Sequence, residues 1–165
     1  MTPMATRDEN PIEARRQAMQ AALDARKLPA ERNRLGQFAT PNALAVEIAR
    51  YVQSIAGHRL RAVHFADPSV GTGSFYSAAL AVFGTERIEK AVGVELDPGF
   101  CDAARDLWAE AGLDVMRGDF TRIVASRSRP IAPNLILANP PYVRHHHLER
   151  EDKERLQALT HRMTG

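Results

Sequence analysis

One cysteine in 165 residues, Cys101, excludes a disulfide framework and fits a reducing compartment. Long apolar runs are missing too: none approaches membrane-spanning length, and the charged N-terminus (Arg7, Asp8, Glu9) lacks the apolar core of a signal peptide. The expectation is a soluble, cytoplasmic chain without a membrane partner, long enough for one domain with a real core rather than two. Repeats and low-complexity segments are absent, and no set of Cys, His and carboxylate side chains has metal-ligand spacing, so no metal site is expected. Cys101 lies on an apolar helical face without a basic activating neighbour, which argues against a nucleophile.

What is present begins with an uneven charge. Residues 1–34 carry seven basic and five acidic side chains, residues 35–120 seven and eleven, and residues 121–165 eight and four, which sum to a net charge of +2. An acidic middle thus lies between basic flanks, as suits either an ordinary solvated surface or flanks that face a polyanion. Asn10-Pro11 reads as a helix cap followed by proline in the first turn, opening a helix to about Lys27 whose apolar stripe (Ile12, Met19, Ala22, Leu23) is thin enough for a loosely docked arm. Thr40-Pro41 repeats that signal before Leu44, Ile48, Tyr51, Val52 and Ile55, whose spacing predicts a well-anchored helix.

Beyond it, short β-rich runs alternate with helices. Strands are expected at Ala62–Ala66, Lys90–Glu95, Leu113–Arg117 and Leu135–Ala138. Helices are expected at Ser74–Phe83 and from Asp97-Pro98 to Gly112, and a charged helix at about Leu148–Thr160. The pattern implies right-handed βαβ units, hence an α/β fold with a doubly wound, mostly parallel sheet covered on both faces, here of about four strands. Ligands of such sheets sit beyond the carboxyl ends of the strands. His64 within the first strand and Trp108 on its helix read as core.

Each strand end carries a chemical feature. The first runs into Asp67-Pro68-Ser69-Val70-Gly71-Thr72-Gly73, where two glycines permit a tight loop with bare backbone against a ligand. A dinucleotide fingerprint needs a further glycine where Tyr76 stands, and a P-loop needs Gly-Lys-Ser/Thr. Both phosphate readings fail, leaving a nucleoside without pyrophosphate, plus a small carboxylate for the loop to hold. Glu95, 28 positions after Asp67, is placed to accept ribose hydroxyls, Asp97 reads as a helix cap, and Asp119 beside Phe120 suits a base amine and its ring. Singly, each acid reads as a cap or solvated loop. Three at successive strand ends share one crevice, which favours a site.

The fourth strand runs into Asn139-Pro140-Pro141-Tyr142. The amine of a nucleobase is a poor nucleophile because its lone pair is delocalised into the ring. The Asn139 carboxamide oxygen and the Pro140 carbonyl could each take one amine hydrogen, aiming the lone pair at an electrophilic methyl group, while Tyr142 stacks on the base.

In order, Gly36-Gln37-Phe38-Ala39-Thr40-Pro41, DPSVGTGSF, GVELD, GDF and NPPY make the chain resemble the gamma class of adenine-specific DNA methyltransferases of restriction-modification systems, over about residues 30 to 148. The resemblance implies a Rossmann-like fold with S-adenosylmethionine as methyl donor and double-stranded DNA as partner, the target adenine being flipped out of the duplex. It places Thr40, Pro41, Asp67, Gly71, Gly73, Glu95, Asp119 and Phe120 at the cofactor, and Asn139, Pro140 and Tyr142 at the adenine. Asn-Pro-Pro-Tyr also occurs in methyltransferases of protein glutamine and of ribosomal RNA guanine. The Thr-Pro helix ahead of the loop, and a loop that opens Asp-Pro-Ser and closes on Phe75, favour the DNA enzymes. Internal His145–His147 then read as a structural or DNA-facing lip.

Members of that class continue through three further strands and a target-recognition domain. The resemblance therefore implies a helical arm over residues 1–30, a partial catalytic domain over residues 31–165 and no target-recognition domain. Family strand order would leave Leu135–Ala138 at the sheet edge. A fragment, or half of a split enzyme completed by a second polypeptide, is expected. The alternative is a non-catalytic module that binds cofactor or partner.

Overall fold

The structure, a computed structural model, describes residues 10–28, 30–32, 38–123, 132–141 and 150–164. Tyr142, His145–His147, Gly36, Gln37 and the Ser128–Pro130 part of the loop before the fourth strand lie outside the described residues. Helix α1 (Pro11–Asp24) is followed by α2 (Asn42–Ala56), β1 (Val63–Asp67), α3 (Ser74–Phe83), β2 (Ile88–Glu95), α4 (Pro98–Trp108), β3 (Leu113–Arg117), β4 (Leu135–Ile136) and α5 (Arg150–Thr164). The four strands form one parallel sheet in the order β3-β2-β1-β4, which puts β4 at the edge.

Local chemistry accounts for these elements. Asn10 Oδ1 accepts from the Ile12 N–H at the start of α1, and Asp97 Oδ1 accepts from Gly99 and Phe100 at the start of α4, each cap followed by proline, which has no N–H to lose. α4 shows the strongest amphipathic pattern, burying Phe100, Cys101, Ala104, Leu107 and Trp108. Phe65, Tyr76 and Trp108 form the aromatic centre of the core, with ring centroids 5.5 Å apart for the first pair and 5.2 Å, edge to face, for the second. Burial pushes the Tyr76 hydroxyl up to about 12, and it donates to the Ala111 carbonyl. Cys101 is fully buried, which raises its thiol and leaves it inert.

Three sequence expectations change. α2 is anchored by Ala45 and Ala49, both fully buried, whereas Leu44, Tyr51 and Ile55 of the expected apolar face are 52%, 66% and 64% exposed. Small residues let α2 approach α3, where Ala78 and Ala79 are also fully buried; Ile48 and Val52 of the expected face pack against the core, while Leu44, Tyr51 and Ile55 are turned outward. Helix α1 is not a loose arm: it buries Glu13 and Arg16, a polar contact that an apolar count misses. His64 is not core but lies on the less buried face of β1, its Nε2 3.1 Å from Glu89 Oε2. Along β1, β3 and β4 one face is the more deeply buried: Val63, Phe65, Leu113, Val115 and Leu135 are buried, while His64, Ala66, Asp114 and Ile136 on the other face are partly or fully exposed.

Candidate active site at the strand ends

A cavity of about 250 Å³ opens beyond the carboxyl ends of the strands. Its wall includes Thr40, Asp67, Gly71, Glu95, Asp119, Phe120 and Asn139 among the residues singled out from sequence. Pro41, Gly73 and Pro140 do not line it, although Pro141 does. Among the lining residues that sequence reasoning did not assign to the site are Gln20 and Asp24 of α1, Phe38, Thr72, Leu96 and Phe100.

The loop after β1 is stitched to β2. Val70 N–H donates to the Val94 carbonyl at 3.0 Å, and Gly71 N–H to Glu95 Oε2 at 2.9 Å. Glu95 Oε1 accepts from Asp97 N–H at 2.8 Å, so both carboxylate oxygens are oriented by backbone while keeping further lone pairs for a ligand. Burial raises the Glu95 pKa against these hydrogen bonds. Asp67 is 2% exposed, and burial, joined by the charge of Glu95, raises its pKa to about 7 even though Ser69 N–H donates to Oδ1. Ser69 Oγ, also at the cavity, is buried close to Asp67. Beyond the loop, the first turn of α3 leaves backbone N–H groups without helical acceptors beside Ser74 and Phe75 of the wall.

Gly73 supports the site from behind. Its φ is +90°, and a methyl group built on it would overlap the Trp108 indole. Gly73→Ala is therefore expected to lower stability by at least about 2 kcal/mol, through backbone strain and overpacking together. Chemical unfolding checks this; an unchanged midpoint would show that the loop relaxes freely.

Asn139 stands just past β4. Its Nδ2 donates to Thr40 Oγ1 at 3.2 Å and, at 3.5 Å, to the Phe38 carbonyl. A carbonyl only accepts, so the amide nitrogen faces this segment and Oδ1 is left as the acceptor pointing elsewhere. Thr40 consequently does not cap α2. Pro41 occupies the cap position, its carbonyl accepting from Ala45 N–H, and the Thr40 hydroxyl is directed at Asn139 instead.

Asp119 is already engaged. Oδ1 accepts from the Thr121 N–H and hydroxyl at 2.9 and 2.6 Å, while Oδ2 lies 3.3 Å from Arg122 and 3.5 Å from Arg155 of α5. Burial works to raise its pKa, but the Thr121 hydrogen bonds and the arginine charges outweigh it and hold the carboxylate ionised. Phe120 beside it is 40% exposed, and with Leu96, Phe38 and Phe100 it gives the cavity an apolar rim. Among the described residues no cluster of His, Cys, Asp and Glu could hold a metal ion, and no helix is long and apolar enough to cross a membrane.

No family model matches the chain. Solved structures do resemble it. A class I S-adenosylmethionine-dependent methyltransferase assignment from Listeria monocytogenes matches with a TM-score of 0.64 at 15% identity, over 89% of this chain and 43% of that one. A protein assigned as an RNA methyltransferase from Pyrococcus horikoshii matches at 0.55 and 20%, over 86% and 66%. The methyltransferase subunit of a type I restriction-modification system from Streptococcus thermophilus matches at 0.53 and 19%, over 64% and 23%. The chain thus spans less than two thirds of the length of each. At these identities the likeness concerns architecture: the chain has a Rossmann-like fold of the S-adenosylmethionine-dependent methyltransferase type.

Proposed function

We propose that this chain carries the cofactor pocket and target-amine site of an S-adenosylmethionine-dependent methyltransferase acting on the amino group of adenine in double-stranded DNA. The observation that carries the reading is the single cavity that joins the Gly71 loop, Asp67, Glu95, Phe120 and the oriented Asn139.

The cavity fits the cofactor's chemistry. Asp24, Asp67, Glu95 and Asp119 make its wall acidic, which suits a ligand bearing both an ammonium and a sulfonium. Glu95 keeps lone pairs for a ribose diol, the Phe38, Leu96 and Phe120 rim for an adenine ring, and the start of α3 faces a carboxylate with free N–H groups. When bound, S-adenosylmethionine supplies an electrophilic methyl group on sulfur. Asn139 Oδ1 and the Pro140 carbonyl hold the two hydrogens of the target amine, pyramidalising the nitrogen. The same groups stabilise the charge that grows there until a proton passes to solvent. Tyr142, two positions after Pro140 in sequence, supplies the ring that stacks on the flipped base. The neighbours include both a protein assigned as an RNA methyltransferase and a type I restriction-modification subunit, so the preference for DNA over protein glutamine and ribosomal guanine rests on the Thr40-Pro41 helix and on the loop that opens Asp67-Pro68-Ser69 and closes on Phe75.

A second polypeptide adding a strand beside β4 is part of the reading. It is supported by the two-residue edge strand with Ile136 61% exposed and by the outward Leu44, Tyr51 and Ile55 of α2. The alternative is a cofactor- or partner-binding module without turnover.

Calorimetric titration with S-adenosylmethionine, then transfer of labelled methyl to mixed-sequence duplex DNA and identification of the methylated base, tests these readings. Cofactor binding and N6-methyladenine are expected. Binding without transfer by the chain alone supports the module. Transfer by a soluble monomer removes the need for a second polypeptide, and absence of cofactor binding refutes the site.

A further inference from the structure

Thr72 lies between Gly71 and Gly73, whose φ angles are +54° and +90°. Two glycines in the left-handed region give this loop more backbone freedom than other residue types at those positions would, so contacts from outside help to fix it. Thr72 is 2% exposed and held at three points. Its carbonyl accepts from Trp108 Nε1 at 2.9 Å, its hydroxyl accepts from Arg16 Nη1 at 3.0 Å, and the same hydroxyl donates to Gln20 Oε1 at 2.8 Å. Two of the three come from α1, from residues 56 and 52 positions away in the chain.

α1 is itself organised for this grip. Glu13 takes Arg16 Nε and Nη2 in a two-pronged pair at 2.8 and 2.7 Å, and it also accepts from Ser77 Oγ of α3 at 2.5 Å and from Gln17 at 2.8 Å. Burial opposes the Glu13 charge, but these bonds overcome it and keep the pKa low. Gln20 divides its amide, accepting from Thr72 and donating to Asp24 at 3.1 Å, and Gln20, Asp24 and Thr72 all line the cavity. The end of the helix is pinned by Lys27, 2.5 Å from Asp97 and over the Phe100 ring.

A buried ion pair is poorly explained as a stabiliser, because well-packed apolar residues of similar volume commonly do as well or better. What apolar residues cannot supply is direction: two bonds of defined geometry on one hydroxyl. We propose that α1 is a working wall of the cofactor site, with Arg16 and Gln20 as positioning residues that hold Thr72, and with it the glycine loop, in its ligand-binding shape. The proposal rests on the cofactor reading above and adds to it the helix that sequence reasoning set apart as an arm.

The test compares S-adenosylmethionine titrations of the full 165-residue chain and its variants. Thr72→Val keeps shape and removes both side-chain bonds, so affinity is expected to fall about ten-fold. Thr72→Ser keeps the hydroxyl and is expected within about three-fold of the parent. The Glu13→Leu, Arg16→Met double variant fills the same space without directional bonds. It is expected to unfold at or near the parent midpoint yet bind about ten-fold more weakly. Without cofactor, the Gly71 and Gly73 amides should exchange hydrogen faster in Thr72→Val than in Thr72→Ser. Parent-like affinity in either folded variant overturns the positioning role while leaving the cofactor reading intact. A parent chain that binds no S-adenosylmethionine overturns both. Should Thr72→Val not fold, the double variant decides.

Discussion

Asn139→Ala is expected to lower methyl transfer about 10²–10³-fold, the range found for removal of one preorganised group at a centre of developing charge. The argument is geometric. The amide nitrogen of Asn139 is committed to Thr40 and the Phe38 carbonyl, so its oxygen keeps one orientation before any substrate arrives. Preorganisation of this kind acts on the rate because the acceptor bonds strengthen as the amine nitrogen becomes pyramidal and positive. Cofactor affinity should change little, since Asn139 contributes one polar group to a wall built mainly by the β1 and β2 loops. Asn139→Asp keeps an acceptor oxygen but sets a carboxylate against the Phe38 carbonyl, and an intermediate loss is expected. Single-turnover transfer rates decide the matter, and a parent-like rate for Asn139→Ala would refute the assignment. Thermal unfolding gives a second readout. Loss of the tie between the β4 end and the Phe38–Thr40 segment should cost about 1 kcal/mol.

Asp67→Asn should make the chain more stable at pH 8 and less able to bind its cofactor. The folded-state pKa of Asp67 is raised to about 7 from 3.8, chiefly by burial. Between those values the folded protein keeps a proton that the unfolded chain has released. The group's favourable share of stability is therefore complete below pH 3.8 and is lost as the pH rises through about 7. At pH 8 both states are ionised, and an isolated carboxylate at this site costs about 2–4 kcal/mol. Asparagine can still accept from Ser69 N–H but carries no charge to desolvate. Urea unfolding at pH 5 and pH 8 should therefore show a stabilisation that grows with pH, and a pH-independent difference would refute the burial argument. S-adenosylmethionine binding should weaken at least about ten-fold, because a charge-assisted contact to the cationic ligand is gone. A stability gain bought by removing a buried charged group is the usual signature of a site kept for function.

Local signals carried far in this chain. The caps Asn10-Pro11 and Asp97-Pro98 and the extents of α3 and β3 were legible because they rest on short-range chemistry, the parallel sheet because strands alternate with helices, and the order β3-β2-β1-β4 only through the family resemblance. The misreadings have a common cause. Thr40 looked like a cap from its neighbours alone, while its partner Asn139 lies 99 positions away. The stripe Glu13, Arg16, Gln17, Gln20 and Asp24 recurs at helical spacing, and that periodicity was visible, but a polar stripe reads as solvated unless its partners Thr72 and Ser77 are known. α2 misled in part, since Leu44, Tyr51 and Ile55 at helical spacing read as buried although Ala45 and Ala49, flanked by Ile48 and Val52, make the contact.

The sequence by itself determined which atoms stand at each strand end: the glycine loop, Glu95, Asp119 and the Asn139 carboxamide. These follow from runs of residues within hydrogen-bond or one-turn reach of each other. Only the tertiary structure decided what those atoms are free to do. It turned the Asn139 oxygen outward by tying its nitrogen to Thr40, and it set Arg122 and Arg155 on Asp119. It also raised Asp67 by closing the core around it, and it brought a polar helix against the loop. Orientation, desolvation and charge pairing depend on groups brought together by packing, and packing joins residues that the linear order keeps far apart.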